Sequence, residues 1–139
     1  MNRKITEKEY RALAELRFRI RRFLGEGDTT SRKVGLEPQQ YLALLTIRGL
    51  PAGQAATIRV LSERLALRHH STVELIDRME KHGYLKRKKS TEDRRMVIVT
   101  LQPRGEKLLE EVVKRRIIEL RAEGRALVQA IGALLEVKK

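Results

Sequence analysis

The hydrophobic period of this chain changes twice, and those two changes limit its fold more than any other feature. Up to Gly83, apolar residues recur every three or four positions, the spacing of helices with one buried face. Between Tyr84 and Leu101 that spacing stops. Residues 84–88 and 96–101 are short and extended in character, with a polar, charged tip at 90–94 between them, which predicts a β-hairpin. After Pro103 the helical period returns and persists almost to the end of the 139 residues, through Leu109, Val113, Leu120, Leu127, Ile131 and Leu134. A chain of this length has room for one domain with one real core.

Four helices are predicted before the hairpin. The first, over 5–24, turns Tyr10, Leu13, Leu16, Ile20 and Phe23 to one side and Arg11, Arg17, Arg19, Arg21 and Arg22 to the other. The stretch 25–35, with Gly25 and Gly27 near its start, predicts a loop. A second helix begins near Pro38, a residue suited to the first helical turn. Its Tyr41, Leu42, Leu44, Leu45 and Ile47 predict that it is largely buried. Thr57 is placed to cap a third helix carrying Ile58, Leu61 and Leu65. The fourth runs from about 70 to 82, with Val73, Ile76 and Met79 inward and Gly83 as its stop. In the last helical stretch, Gly124 marks a position for a kink or a break into two helices.

The order predicts a mainly α fold with a small β-hairpin wing (α+β). Within a single domain spanning 1–139, residues 36–101 form a winged helix-turn-helix. The flanking segments 5–24 and 103–137 are predicted dimerisation helices. A helix over 103–137 would be roughly 50 Å long at about 1.5 Å per residue, and its apolar stripe would pack on a second chain. Folding back onto its own domain is the alternative. A homodimer suits a palindromic duplex, because two-fold symmetry presents two equivalent helices to two equivalent half-sites.

Charge narrows the partner. Thirty-one Lys and Arg against 18 Asp and Glu leave +13, with a pI near 10.6. Such an excess favours an anionic polymer, nucleic acid foremost, although ribosomal and membrane-surface proteins are also basic. At 41% hydrophobic and 35% charged residues the chain is not a disordered polyelectrolyte. No apolar run approaches the roughly 20 residues of a bilayer-spanning helix, so no membrane partner is expected. The charged start lacks an apolar export core, which predicts a cytoplasmic protein. With no cysteine, these residues hold no disulfide, thiolate metal site or cysteine nucleophile. Only 4% aromatic residues and no tryptophan argue against a stacking platform for single strands.

Chemistry-bearing residues concentrate in the fourth helix and the hairpin. Arg68, His69, His70, Ser71 and Thr72 sit at the helix start, where side chains and backbone N–H groups meet base edges and phosphates. Ser71, Glu74, Arg78 and Lys81 lie opposite the apolar stripe, a face that any solvated surface helix also has. The hairpin carries Lys86, Arg87, Lys88, Lys89, Arg94 and Arg95 against Glu92 and Asp93, a composition suited to the sugar–phosphate backbone or the minor groove. Asp93 is either the orienting partner of Arg95 or a turn-favouring aspartate.

Neither a metal nor a catalytic function is expected. Adjacent histidines on a helix point about 100° apart, so His69 and His70 do not share an ion, and no cofactor is predicted. Ser62, Ser71 and Ser90 have no base–acid set around them and no phosphate-cradling glycine loop is present, so an enzyme is not expected.

From Leu36 to about Leu109 the sequence resembles the MarR family of bacterial transcription regulators. The resemblance rests on Ser71-Thr72-Val73, on Ile76-Asp77-Arg78-Met79-Glu80 before Gly83, and on Asp93-Arg94-Arg95 followed by a strand and Gly105-Glu106-Lys107-Leu108-Leu109. It implies a winged-helix homodimer that binds palindromic double-stranded operator DNA. Such proteins are usually repressors released by a small aromatic or phenolic effector. It further implies that Asp93 orients Arg95 into the minor groove, that Arg94 adds a backbone contact, and that 69–78 is the major-groove helix. Tyr10, Phe18 and Tyr41 are the candidates to line an effector pocket, with simple core packing as the alternative.

The sequence departs from the family pattern at Val60, where an acidic residue would complete a capping box with Thr57. It departs again at Gln102, which replaces a frequent threonine, and in its short C-terminal segment. The lack of cysteine excludes thiol-based peroxide sensing by these residues. The competing expectation is a basic module that binds nucleic acid without sequence preference, or a ribosome-associated module, with no ligand.

Overall fold

The computed structural model describes residues 2–135. Its elements are α1 (Glu7–Val34), α2 (Pro38–Arg48), α3 (Ile58–Leu65), α4 (His69–Lys81), β1 (Leu85–Lys89), β2 (Val97–Leu101) and α5 (Pro103–Leu135). The last two residues of the predicted C-terminal helix, 136 and 137, lie outside the described residues. Two compact units emerge: a winged unit, Ser31–Val113, and a helical unit made of the described parts of Met1–Thr30 and Lys114–Lys139.

In the winged unit, Thr57 caps α3 by accepting from the Val60 N–H, as its position predicts. Ala66 ends that helix in the left-handed region, at φ 55°. Leu67 and Arg68 complete a three-residue turn into α4. Gly83, at φ 77°, follows α4 and turns the chain into the hairpin. The strands pair antiparallel, with Leu85 opposite Leu101 and Lys89 opposite Val97. β2 is also held from its other side, where the Val99 N–H donates to the Ala56 carbonyl at 2.9 Å.

The core of this unit joins Leu36, Tyr41, Leu44, Leu61, Leu75, Ile76, Met79, Leu85 and Val99 with Leu109 and Val112 of α5. The start of α5 presses closely on the chain before β1. A Cβ on Gly105 would stand 2.1 Å from the Tyr84 carbonyl oxygen, so only glycine fits there.

The structure corrects three expectations. The predicted loop over 25–35 is mostly helix, because α1 continues to Val34. Gly27 does not break it. This glycine lets the α5 side chain of Arg116 approach, with a Cβ position only 2.8 Å from the guanidinium. Thr30 then donates to Glu119 Oε2 at 2.8 Å. The glycine that stops the helix is Gly35, at φ 102°, ten residues beyond Gly25.

Likewise, Gly124 breaks nothing, since α5 is one 33-residue helix. The second helix is also less buried than its composition predicts. Tyr41, Ala43 and Leu44 are inside, but Leu42 and Leu45 are exposed on the far side of a helix that has apolar residues nearly all round.

In the helical unit, α1 and α5 meet through a polar seam. Arg116 is buried, donates to the Phe23 carbonyl at 2.9 Å, pairs with Glu119, and lies 3.9 Å from the Phe23 ring centroid. In the same unit Glu26 has its pKa raised, foremost by a hydrogen bond with Glu123, then by burial and by the charges of Glu123 and Glu119.

Candidate nucleic-acid interface

Three elements of the winged unit build the site: the turn after α3, the first turns of α4, and the hairpin. Arg68, His69, His70, Glu74 and Arg78 are exposed, and Ser71 is half-buried. This face combines imidazole, hydroxyl, guanidinium and carboxylate groups, chemistry able both to donate and to accept hydrogen bonds.

Thr72 is not on that face. It is fully buried, with Oγ1 donating to the Arg68 carbonyl at 3.0 Å and accepting from Ser62 Oγ at 2.9 Å. The inward stripe of α4 is Thr72, Leu75, Ile76 and Met79, and Val73 is only half-buried. The sequence expectation had rotated the start of the helix by about one position.

At the hairpin tip Asp93 makes two contacts with Arg95. Its Oδ1 accepts from the Arg95 backbone N–H at 3.1 Å, a turn-closing contact, and from Arg95 Nε at 3.4 Å. The backbone bond is the firmer of the two; the longer one reaches a side chain that remains 92% exposed. Ser90 closes the other side of the tip by accepting from the Glu92 and Asp93 N–H groups. Lys88, Lys89 and Arg94 are exposed beside Arg95, so the tip presents cations to solvent.

Arg87 behaves differently from the other hairpin cations. It donates to Glu80 Oε1 at 2.5 Å, pairs with Asp77, and gives its backbone N–H to Glu80 Oε2 at 3.3 Å. It therefore ties β1 to α4 and offsets two carboxylates that would otherwise repel a polyanion. Its signal was present in the sequence, because strand alternation puts Arg87 on the same side as buried Leu85.

The three aromatic candidates for an effector pocket belong to different units. Tyr41 lies in the core of the winged unit at 9% exposure, while Tyr10 and Phe18 are exposed on α1 in the helical unit. Among the described residues, no group of three or more His, Asp or Glu is arranged to hold a metal ion. None of the described helices is long and apolar enough to cross a membrane.

Residues 34–96 match the MarR family model, which spans the helix-turn-helix and most of the hairpin. Over 91 residues the chain is 33% identical to the HTH-type transcriptional regulator YsmB of Bacillus subtilis, covering 66% of this chain and 60% of YsmB. The chain thus spans less than two thirds of that relative. The transcriptional regulator Tm0710 of Thermotoga maritima superposes with a TM-score of 0.61 at 27% identity, over 85% of this chain and 79% of that one. AbsC of Streptomyces coelicolor, a MarR family transcriptional regulator, superposes with a TM-score of 0.72 over 91% of this chain and 84% of its own, at 19% identity, which speaks for the fold alone. With the winged helix-turn-helix described above, these matches make the chain similar to MarR family transcriptional regulators over its winged unit.

Proposed function

We propose that this protein is a sequence-specific, double-stranded-DNA-binding regulator of transcription, acting as a homodimeric repressor on a palindromic operator. The observation that carries the reading is the pairing of an exposed, chemically mixed α4 face with a cationic hairpin tip on which Asp93 aligns Arg95. In this reading α4 enters the major groove, with His69, His70 and Ser71 toward base edges, while Arg68 and Arg78 meet phosphates. Arg95 enters the minor groove and Lys88, Lys89 and Arg94 contact the backbone.

Dimerisation is supported by the apolar residues that the helical unit leaves in solvent, among them Leu13, Ile20 and Leu24 on α1 and Ile118 and Val128 on α5. Release by a small aromatic or phenolic effector follows the habit of the family.

The test is binding to the duplex upstream of the protein's own gene against a scrambled duplex of equal composition, across a salt series. With +13 net charge the protein binds any DNA at low salt, so only a preference that survives near physiological salt counts. The expected result is a strong preference with a symmetric footprint, and a large loss of affinity in Arg95→Ala with the dimer intact. Equal binding to both duplexes, lost steeply with salt, would favour a basic module without sequence preference. Thermal stabilisation by aromatic acids or phenols, accompanied by release from the duplex, tests the effector.

A further inference from the structure

Half-buried Ser62 and buried Thr72 form a hydroxyl link between α3 and the first turn of α4. Thr72 is wholly inside the winged unit, and the Arg68 carbonyl accepts twice from it, from the backbone N–H at 3.0 Å and from Oγ1 at 3.0 Å. Ser62 Oγ, on α3, donates to Thr72 Oγ1 at 2.9 Å, with the Ile58 carbonyl 2.8 Å away as the competing acceptor for its one hydrogen. Arg68 is the N-cap of α4, and its own side chain makes no capping bond. The hydroxyl pair is therefore the polar fastening of this helix start.

We infer that the Ser62–Thr72 pair is a positioning device for base discrimination: it fixes how the first turn of α4 leaves α3, and so where His69, His70 and Ser71 point, without touching nucleic acid. This rests on the DNA-binding reading above. The physical reason is directionality. Leu61, Leu75, Ile76 and Met79 hold the two helices together by apolar burial, which is non-directional and tolerates small slides. A hydroxyl bond has a narrow range of length and angle, and loss of a partner is costly at Thr72, which is wholly buried. Base-edge readout needs side chains held to within about half an ångström, which the hydroxyl link supplies and packing alone does not.

The experiment compares Thr72→Val, Thr72→Ser and Ser62→Ala with wild type. It measures the ratio of affinities for the native and scrambled duplexes near physiological salt, well below each variant's melting temperature. Thr72→Val and Ser62→Ala are expected to lower that ratio about tenfold, the scale of one base contact. Affinity for the scrambled duplex and the salt slope stay unchanged, because no cation is removed. Thr72→Ser keeps the hydroxyl and restores the ratio.

An unchanged ratio in the first two variants overturns the inference. So does an equal loss on both duplexes, which would mean a general loss of folded protein. Should Thr72→Val fail to fold, Ser62→Ala decides alone. Wild type without any preference brings down the DNA-binding reading and this inference together; a wild-type preference retained by the variants brings down the inference only.

Discussion

The winged unit encloses most of its apolar residues, whereas the helical unit leaves many of its own in solvent. In the first, three helices, a hairpin and the start of α5 surround Leu44, Leu61, Ile76, Met79 and Val99. In the second, Tyr10, Leu13, Phe18 and Leu24 of α1 and Ile118 and Val128 of α5 are exposed, and the seam between the helices is built around Arg116, Glu119 and Thr30. Two helices can bury only the strip between them, while layers that close around a centre bury whole side chains. An apolar period thus has different consequences in the two places: it is largely satisfied within the winged unit and only partly satisfied in the helical one.

That contrast can be tested from its strongest expected effect downward. Gly105→Ala should be the most damaging single change in the winged unit, costing about 3 kcal/mol or more, because the new methyl meets the Tyr84 backbone rather than a movable side chain. Denaturant unfolding would measure it, and a near-neutral result would mean that α5 can shift away from the hairpin.

Next, Leu44→Ala should cost about 3 kcal/mol in the same assay. Ile118→Ala, at a side chain 66% exposed, should change the stability of the single chain by no more than about 0.5 kcal/mol. If a second chain covers the helical unit, wild-type unfolding should depend on protein concentration, and Ile118→Asp should lower its midpoint and shift the mass in solution toward the monomer. A concentration-independent transition for wild type and variant alike would erase the proposed partner and sharpen the contrast between the units.

A smaller effect is expected from the polar seam. Glu26 is held above the usual carboxyl range by its hydrogen bond with Glu123, by burial, and by the charges of Glu123 and Glu119. A carboxyl whose folded pKa is raised holds its proton longer in the folded state. Its contribution is complete below the ordinary glutamate range and is lost as pH rises through the raised value. The wild-type melting temperature should accordingly fall over that window, and Glu26→Gln should flatten the decline. Parallel profiles for the two proteins would remove Glu26 from the pH dependence.

The smallest effect is a gain. Ala66 is in the left-handed region at the helix-turn-helix corner, so Ala66→Gly should add roughly 0.5 kcal/mol by relieving that conformation. A loss would show that the Ala66 methyl packs more than it strains.

Much of the winged unit was legible beforehand. The cap at Thr57, the stop at Gly83, the hairpin and the Asp93–Arg95 contact all follow from local rules about side-chain oxygens, positive φ and strand alternation. The misreadings share a different cause. Gly25 and Gly27 look like a helix end in sequence, yet Gly27 is small because Arg116, 89 positions later, needs the space. Thr72 looks like a polar residue for the outer face, but a hydroxyl can be buried once Ser62 and the Arg68 carbonyl satisfy it. Arg87 counts as one more cation in a basic hairpin until Asp77 and Glu80 are placed against it.

The sequence alone therefore determined the order of elements, the change of period at the hairpin, the charge and the likeness to MarR family regulators. Each of these depends on neighbours along the chain or on sums over it. Tertiary structure alone decided which glycine stops α1, which polar groups of α4 go inside, and which cations are already neutralised. Those outcomes turn on partners distant in sequence, and a residue's cost or benefit there is set by the geometry of the group it meets.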